Sequence, residues 1–174
     1  IKFDRSVVNV TTIDIETAYE DGFPDPEVAD QPILAITMKN NIDGEYYVWG
    51  YEYYDTDAAL IKPVHYIKCD DEADLINKFL DHWSNELFMP DIITGWNIRF
   101  FDIPYLVNRT TRILGLEHIK RFSPWGMMNR HEIKRMNKVN EAYTIEGVQT
   151  LDYLELFQKF GYSYGAQESY KLDH

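Results

Sequence analysis

The chain has 174 residues, a formal net charge of −12 and a hydrophobic content of 45%. These values fit one globular domain with a single core, and they exclude a disordered chain. No apolar run approaches the roughly 20 residues that a membrane span requires, and no signal peptide opens the chain. The single cysteine, Cys69, cannot form an internal disulfide, so we expect a cytoplasmic, monomeric protein without membrane contacts.

The charge is unevenly distributed along the chain. Residues 1–100 carry 20 acidic and 7 basic side chains, whereas residues 101–174 carry 9 and 10. The acidic excess excludes a long-range field that attracts nucleic acid, but it leaves room for a local basic strip. The candidate strip consists of Lys120, Arg121, Arg130, Lys134, Arg135 and Lys138. A solvated hairpin surface and a contact for a phosphate backbone are both open interpretations of it.

The first half of the chain predicts three strands and a helix. The alternating, β-branched run 7–16 predicts the first strand, and a loop over 19–32 follows it. Strands over 33–39 and 45–51 are joined by Asp43-Gly44, a strong hairpin signal. Apolar spacings of three and four residues within 70–88 predict an amphipathic helix that Pro90 ends.

The second half alternates between strands and helices. Residues 91–96 predict a short buried strand, and residues 103–114 a helix with Pro104 in its first turn. A second hairpin is expected near 130–145, and a helix over 151–160. Antiparallel strands followed by alternating helices and strands favour a mixed α/β domain.

Asp14 and Glu16 form the first candidate site. Positions two apart on a strand face the same way, so these carboxylates lie side by side while Ile13 and Ile15 face the core. Two such charges repel each other unless a cation is shared, and hard ions such as Mg²⁺ prefer oxygen ligands. An exposed strand face without a ligand is the alternative interpretation.

The segment from Thr94 to Tyr105 is the second candidate. It runs from a strand end through a turn into a helix start, which is where ligands commonly bind in α/β sheets. Asp102 is placed either to cap that helix or to serve as a ligand. The segment's aromatic residues are either core residues or stacking surfaces for unpaired bases: Trp96, Phe100, Phe101 and Tyr105.

These motifs together resemble the exonuclease domain of family B DNA polymerases. Asp14-Ile15-Glu16 is similar to the first exonuclease motif, and Asn97 followed by Phe101-Asp102 is similar to the second. Lys120-Arg121-Phe122-Ser123-Pro124 and the stretch 151–157 resemble the replicative polymerases of T4-like bacteriophages in particular. The resemblance covers nearly the whole chain in the same order.

The resemblance implies a ribonuclease H-like fold, with a mixed sheet flanked by helices and an additional β-hairpin. It also implies two divalent ions, Mg²⁺ or Mn²⁺, held by catalytic carboxylates. Asp14 would bridge both ions, Glu16 would bind the ion that activates water, and Asp102 would hold the other. The activity implied is proofreading, the 3′–5′ hydrolysis of the terminal phosphodiester of single-stranded or frayed DNA.

Three residues are implied to contact that DNA, and further partners follow. Asn97 and Phe101 would meet the terminal nucleotide, and Phe23 would wedge against the terminal bases unless it only anchors its loop. The other domains of a parent polymerase would be partners. A phage-encoded protein would act in the infected bacterial cell.

The third motif of the family, Tyr-x-x-x-Asp, has no counterpart after residue 151. Tyr164 to Glu168 has the spacing but lies too close to the preceding helix to be assigned to it. We therefore expect residues 1–174 to be an exonuclease domain incomplete at its C-terminus, without the N-terminal and polymerase domains, and weakly active or inactive. A catalytically silent nucleic-acid-binding module on the same fold is the alternative.

Overall fold

The computed structural model describes residues 4–19, 22–55, 63–135, 138–161, 165 and 169–170. The strands are β1 Val10–Thr17, β2 Ile33–Asn40, β3 Tyr46–Gly50, β4 Val64–Lys68, β5 Ile92–Gly95, β6 Met128–Arg135, β7 Lys138–Ile145 and β8 Gln149–Asp152. The α-helices are α1 Glu72–Trp83, α2 Asp102–Ile113 and α3 Tyr153–Phe160. Short 3₁₀ helices cover Arg5–Val7 and Leu116–Phe122.

Six strands form one mixed sheet in the order β4-β3-β2-β1-β5-β8, and β6 and β7 form a separate hairpin. Strand β2 is antiparallel to both of its neighbours, whereas β1, β5 and β8 are mutually parallel. The carboxyl ends of β1, β5 and β8 therefore meet at one edge of the sheet. This is the edge at which open α/β sheets usually bind ligands.

The core is a single cluster of large apolar side chains from the sheet and its helices. Trp49, Phe79, Trp83 and Phe122 are all fully buried. The rings of Phe79, Trp83 and Phe122 contact one another, and Trp49 contacts Phe79. The indole Nε1 of Trp83 donates a hydrogen bond to the carbonyl of Phe122 at 2.9 Å, so the polar edge of this ring is satisfied.

A buried ion pair joins α2 to α1. Arg109 donates through Nε and Nη2 to the two carboxylate oxygens of Glu72, each at 2.7 Å. Its Nη1 donates to the carbonyls of Ala29 and Asp30, and Glu72 also accepts the backbone N–H of Ile33. The pair thus fixes α2 against α1 and against the segment that leads into β2.

Most predicted elements are confirmed, including the turn at Gly44, where φ is +73°. Two boundaries were wrong. Helix α1 ends at Trp83, well before Pro90, and Ser84 is its C-cap, whose backbone N–H and hydroxyl both donate to the carbonyl of Leu80. The predicted helix over 151–160 begins only at Tyr153, because Gln149–Asp152 pairs with β5 as strand β8.

Strand β4 was not predicted from the sequence. It lies at the sheet edge and pairs in parallel with β3. Parallel strands are not joined by a tight turn, so no turn motif in the sequence predicts this strand. In the described residues, no helix is both long and apolar enough to cross a membrane. The Tyr164 to Glu168 spacing lies outside the residues that the structure describes.

Candidate active site

Strand β1 presents Asp14 and Glu16 on its solvent-facing side. Ile13 and Ile15 are buried, at 2% and 6% exposure, and the two carboxylates alternate with them on the opposite face. The predicted alternation is therefore confirmed. The pKa of Asp14 is raised, first because the surrounding protein removes water from its carboxyl and second because Glu16 is also negative.

Asp102 reaches β1 from the first turn of α2. Its Oδ1 accepts the backbone N–H of Ile15 at 3.1 Å, which places this carboxyl beside the backbone between Asp14 and Glu16. The contact is possible because β1 pairs with β5 only as far as Thr12, which leaves the later N–H groups of β1 on that edge unpaired by β5. Two segments 87 residues apart meet there.

Asp102 is not the N-cap residue of α2, so the capping interpretation of this residue is wrong. The N-cap residue is Phe101, whose side chain forms no capping hydrogen bond, and the Asp102 carboxyl accepts the N–H of Ile15 on β1. The carboxyl of Asp102 is instead buried, with 3% of the residue exposed. Its orientation toward β1 is therefore tertiary in origin.

Burial and like charge together raise the pKa of Asp102 to about 7. Removal of water is the largest cause, and the charge of Asp14 is the second. Hydrogen bonds from backbone N–H groups, that of Ile15 foremost, oppose the rise, whereas the more distant charge of Asp152 adds to it. Close to neutral pH this carboxyl is consequently only partly ionised.

The turn between β5 and α2 is tightly constrained. Asn97 has a φ of +63°, a left-handed conformation that Asn tolerates better than most residues. Its carbonyl accepts the N–H groups of Phe100 and Phe101 at 3.2 and 3.1 Å. At Gly95, an added Cβ would lie 2.6 Å from the carbonyl oxygen of Ile13, so only glycine allows β5 to approach β1 this closely.

A cavity of about 580 Å³ adjoins this turn. Phe23, Asn97 and Phe101 all line it, together with residues of the 24–27 segment and of β7. Phe23 is 79% exposed, and its ring centroid lies 5.3 Å from that of Phe101. Asp14, Glu16 and Asp102 are not among its lining residues, so the structure brings the three predicted DNA contacts together in this cavity and leaves the three carboxylates outside its lining.

A hydrogen-bonded network holds the walls of this cavity together, and no sequence pattern predicts it. Asn108 of α2 donates to the carbonyl of Pro26 and to Oε1 of Glu141, both at 2.8 Å. Glu27 accepts the backbone N–H of Glu141 at 3.1 Å. Glu141 is 5% exposed and pairs with Arg130. The hairpin and the 24–27 segment are thereby both attached to α2.

The candidate basic strip is partly neutralised. Lys120 pairs with Glu117, Arg121 pairs with Asp81, and Arg130 pairs with the buried Glu141. These three side chains therefore do not form an unpaired basic surface. Three of the six side chains of the strip are thus engaged in ion pairs.

The described residues do not form a preassembled metal cage. Among them, no group of three or more His, Cys, Asp or Glu side chains is arranged to hold a metal ion. The donor chemistry nevertheless fits a hard divalent cation, because Asp14, Glu16 and Asp102 offer only carboxylate oxygens. Within the described part of the chain, no ion pair includes any of the three.

Comparison with known proteins identifies the family. The profile of the family described as DNA polymerase family B, exonuclease domain, matches residues 4–174. The DNA-directed DNA polymerase of Escherichia phage RB69 is 34% identical over 196 residues, which cover 100% of this chain and 21% of the phage protein. That of Enterobacteria phage T4 is 36% identical over 185 residues, which cover 94% of this chain and 20% of the phage protein.

A eukaryotic relative is more distant. The DNA polymerase delta catalytic subunit of Caenorhabditis elegans is 31% identical over 140 residues, 75% of this chain and 13% of that protein. The chain spans about a fifth of the length of its phage relatives. The six-stranded mixed sheet flanked by helices agrees with the ribonuclease H-like fold that the sequence resemblance implied. This family is metal-dependent, and the chain belongs to the exonuclease domains of family B DNA polymerases.

Proposed function

We propose that this chain is the proofreading 3′–5′ exonuclease domain of a DNA-directed DNA polymerase. Its substrate is the 3′-terminal phosphodiester of single-stranded or frayed DNA. The observation that carries the proposal is the contact between Asp102 and the Ile15 N–H, which puts a buried carboxyl beside Asp14 and Glu16. A buried carboxyl close to the charge of Asp14, with no ion pair among the described residues, is costly, and a bound cation removes that cost.

The three carboxylates are the proposed ligands of two divalent ions, Mg²⁺ or Mn²⁺. Asp14 is assigned to both ions, Glu16 to one and Asp102 to the other. When bound, such ions supply an activated water and stabilise the departing 3′ oxygen. The raised pKa of Asp102, caused first by burial and then by the charge of Asp14, is consistent with the assignment, because a bound cation would favour the ionised carboxylate.

The neighbouring cavity is the proposed seat of the 3′-terminal nucleotides. Phe23 and Phe101 present two rings at stacking distance beside Asn97, whose amide offers both a donor and an acceptor. Stacking on aromatic rings is sequence-tolerant, which suits an enzyme that must remove any mispaired base. The network of Asn108 and Glu141 keeps the two walls of the cavity at a fixed separation.

The other domains of the polymerase are proposed partners, since the phage relatives are about five times longer than the match. The 174 residues supply three of the carboxylates that the family's motifs provide. We therefore expect them to bind metal weakly and to cleave DNA poorly or not at all.

Calorimetric titration with Mn²⁺ tests the metal assignment, because carboxylate sites hold Mn²⁺ more tightly than Mg²⁺. Wild type should bind, and Asp14→Ala should abolish binding. The matched control is Glu86→Ala, which removes an exposed acid outside the site. Equal binding by all three proteins would show that the ions do not use Asp14.

A second measurement separates the nuclease from a silent binding module. The proteins are incubated with Mn²⁺ and a 5′-labelled single-stranded oligonucleotide, and the products are resolved by length. Loss of nucleotides from the 3′ end that depends on Asp14 supports the nuclease. Oligonucleotide binding without any Mn²⁺ binding would instead support the catalytically silent module.

A further inference from the structure

Asp152 is a buried carboxylate at the carboxyl end of β8, and only 3% of it is exposed. Both of its oxygens accept backbone hydrogen bonds. Oδ1 accepts the N–H groups of Asn97 at 3.1 Å and Leu154 at 2.9 Å, and Oδ2 accepts that of Arg99 at 2.9 Å. Within the described residues, no ion pair includes Asp152.

Two of these three donors belong to the turn that leads into α2. Asn97 is the residue with a φ of +63°, a conformation that L-residues adopt only when their surroundings impose it. Immediately after it, the carbonyl of the buried Ile98 accepts the N–H of Ile103 at 2.9 Å, which ties the turn to the first turn of α2. The position of the turn therefore sets the position of Asp102.

Capping of α3 accounts for only one of the three bonds. The Leu154 N–H is the ordinary partner of an N-cap side chain. The same chain contains a plain cap for comparison, Asp71 of α1, which is exposed and accepts one N–H from its own helix, that of Asp74. A cap thus requires neither the burial of Asp152 nor its two bonds to a segment more than 50 residues away.

Side chains of the same turn also dock on α3. The indole ring of Trp96 lies 5.8 Å from the ring of Tyr153 and 5.7 Å from that of Phe157. Arg99 Nη1 lies 3.2 Å from Glu155 Oε2. The N-terminus of α3 and the turn are therefore packed as one unit, and Asp152 is the buried polar link between them.

We propose that Asp152 is a positioning residue that clamps the turn 97–101 to the end of β8 and thereby holds Asn97 and Asp102 in place. We assign it this role rather than that of a metal ligand, because its three hydrogen bonds all go to the turn and to α3. The consequence for metal affinity rests on the proposed function, whereas the clamp itself does not. A residue that orients metal ligands without binding the metal typically weakens metal affinity by about 10-fold or more when it is lost, and we expect the same of Asp152.

The test uses Asp152→Ser, because serine is also a good N-cap but is too short to reach the turn. Amide hydrogen exchange is followed by NMR, and Mn²⁺ affinity by calorimetry. In the variant, the amides of Asn97 and Arg99 should exchange about 10-fold faster or more, while that of Leu154 keeps its protection. The Kd for Mn²⁺ should rise about 10-fold. The control, Asp71→Ser, should change none of these values.

Asp152→Asn is a second test of the clamp, and it replaces the serine variant if that variant does not fold. Its Oδ1 still accepts from Asn97 and Leu154, but its amide nitrogen faces the N–H of Arg99, so protection should fall selectively at Arg99. Unchanged protection at Asn97 and Arg99, or their lack of protection in wild type, would overturn the clamp. Lost protection with unchanged Mn²⁺ affinity would overturn the positioning role. Absence of Mn²⁺ binding in wild type would count against the proposed function, while the exchange data would still decide on the clamp.

Discussion

Replacing Asp102 with Asn should stabilise the metal-free domain at neutral and alkaline pH. The native carboxyl has a pKa of about 7, against an ordinary value of 3.8 in the unfolded chain. Between those two pH values the folded state binds more protons than the unfolded state, so the free energy of unfolding falls as pH rises. The loss of stability that ionisation of Asp102 causes is absent below the pKa of the unfolded state and complete above the pKa of the folded state.

The magnitude follows from the size of the shift. Each pKa unit corresponds to about 1.36 kcal/mol, so a shift of roughly three units costs the wild type about 4 kcal/mol above pH 7. Asparagine carries no charge, yet its side-chain oxygen can still accept the N–H of Ile15. The variant should therefore exceed wild type by up to about 4 kcal/mol at pH 8, and the difference should vanish near pH 4.

Urea unfolding in the presence of a chelator, at several pH values between 4 and 8.5, measures this difference. Glu86→Gln removes an exposed acid and controls for the change in net charge. A stability difference that does not vary with pH would refute the reasoning, since it would mean that ionisation of Asp102 is not what the substitution removes. Adding Mn²⁺ at pH 8 should then stabilise wild type more than the variant.

Three further predictions concern stability and DNA binding. Glu72→Gln should lower the free energy of unfolding by about 3–5 kcal/mol in urea, because it leaves the buried Arg109 uncompensated; a loss below about 1 kcal/mol would contradict this. Gly95→Ala should cost about 1–3 kcal/mol in the same assay, because its Cβ would press on the β1 backbone, and an unchanged midpoint would show that β1 yields. Phe23→Ala should weaken single-stranded DNA binding by about 1–3 kcal/mol in fluorescence anisotropy without altering thermal stability. The control, Tyr53→Ala at another exposed aromatic residue, should leave DNA binding unchanged. Equal losses of binding in both variants would contradict a specific stacking role.

The sequence predicted those elements whose signals are local. The alternation around Asp14 and Glu16, the Asp43-Gly44 turn and the amphipathic helices each depend on neighbouring residues, and each is present. Strands β4 and β8 were missed because both are short and pair with strands distant in sequence. In particular, Leu151 has helical spacing to Leu154, so β8 was read as the start of α3.

The site was predicted in its residue types but not in its contacts. The motif around Asp102 indicated a ligand or a cap, and only the tertiary bond to Ile15 decides that it is not a cap. The roles of Asp152 and Asn108 had no sequence signal beyond that of a helix cap and a polar helix residue. Their partners lie 55 and 33 residues away, a separation that no periodicity reports.

The placement of these groups also explains why the site is costly without metal. The first turn of α2 and the residue that ends β8 both lie at the carboxyl edge of the parallel strands. The carboxyl of Asp102 is directed to β1, and that of Asp152 to the turn that precedes α2. Among the residues that the structure describes, no ion pair offsets the charge of Asp14, Glu16 or Asp102 there. A cation would lower the pKa of Asp102 and remove the penalty that its burial imposes. Metal affinity and stability are thus coupled through one carboxyl, and a substitution that stabilises the apo domain there should weaken metal binding.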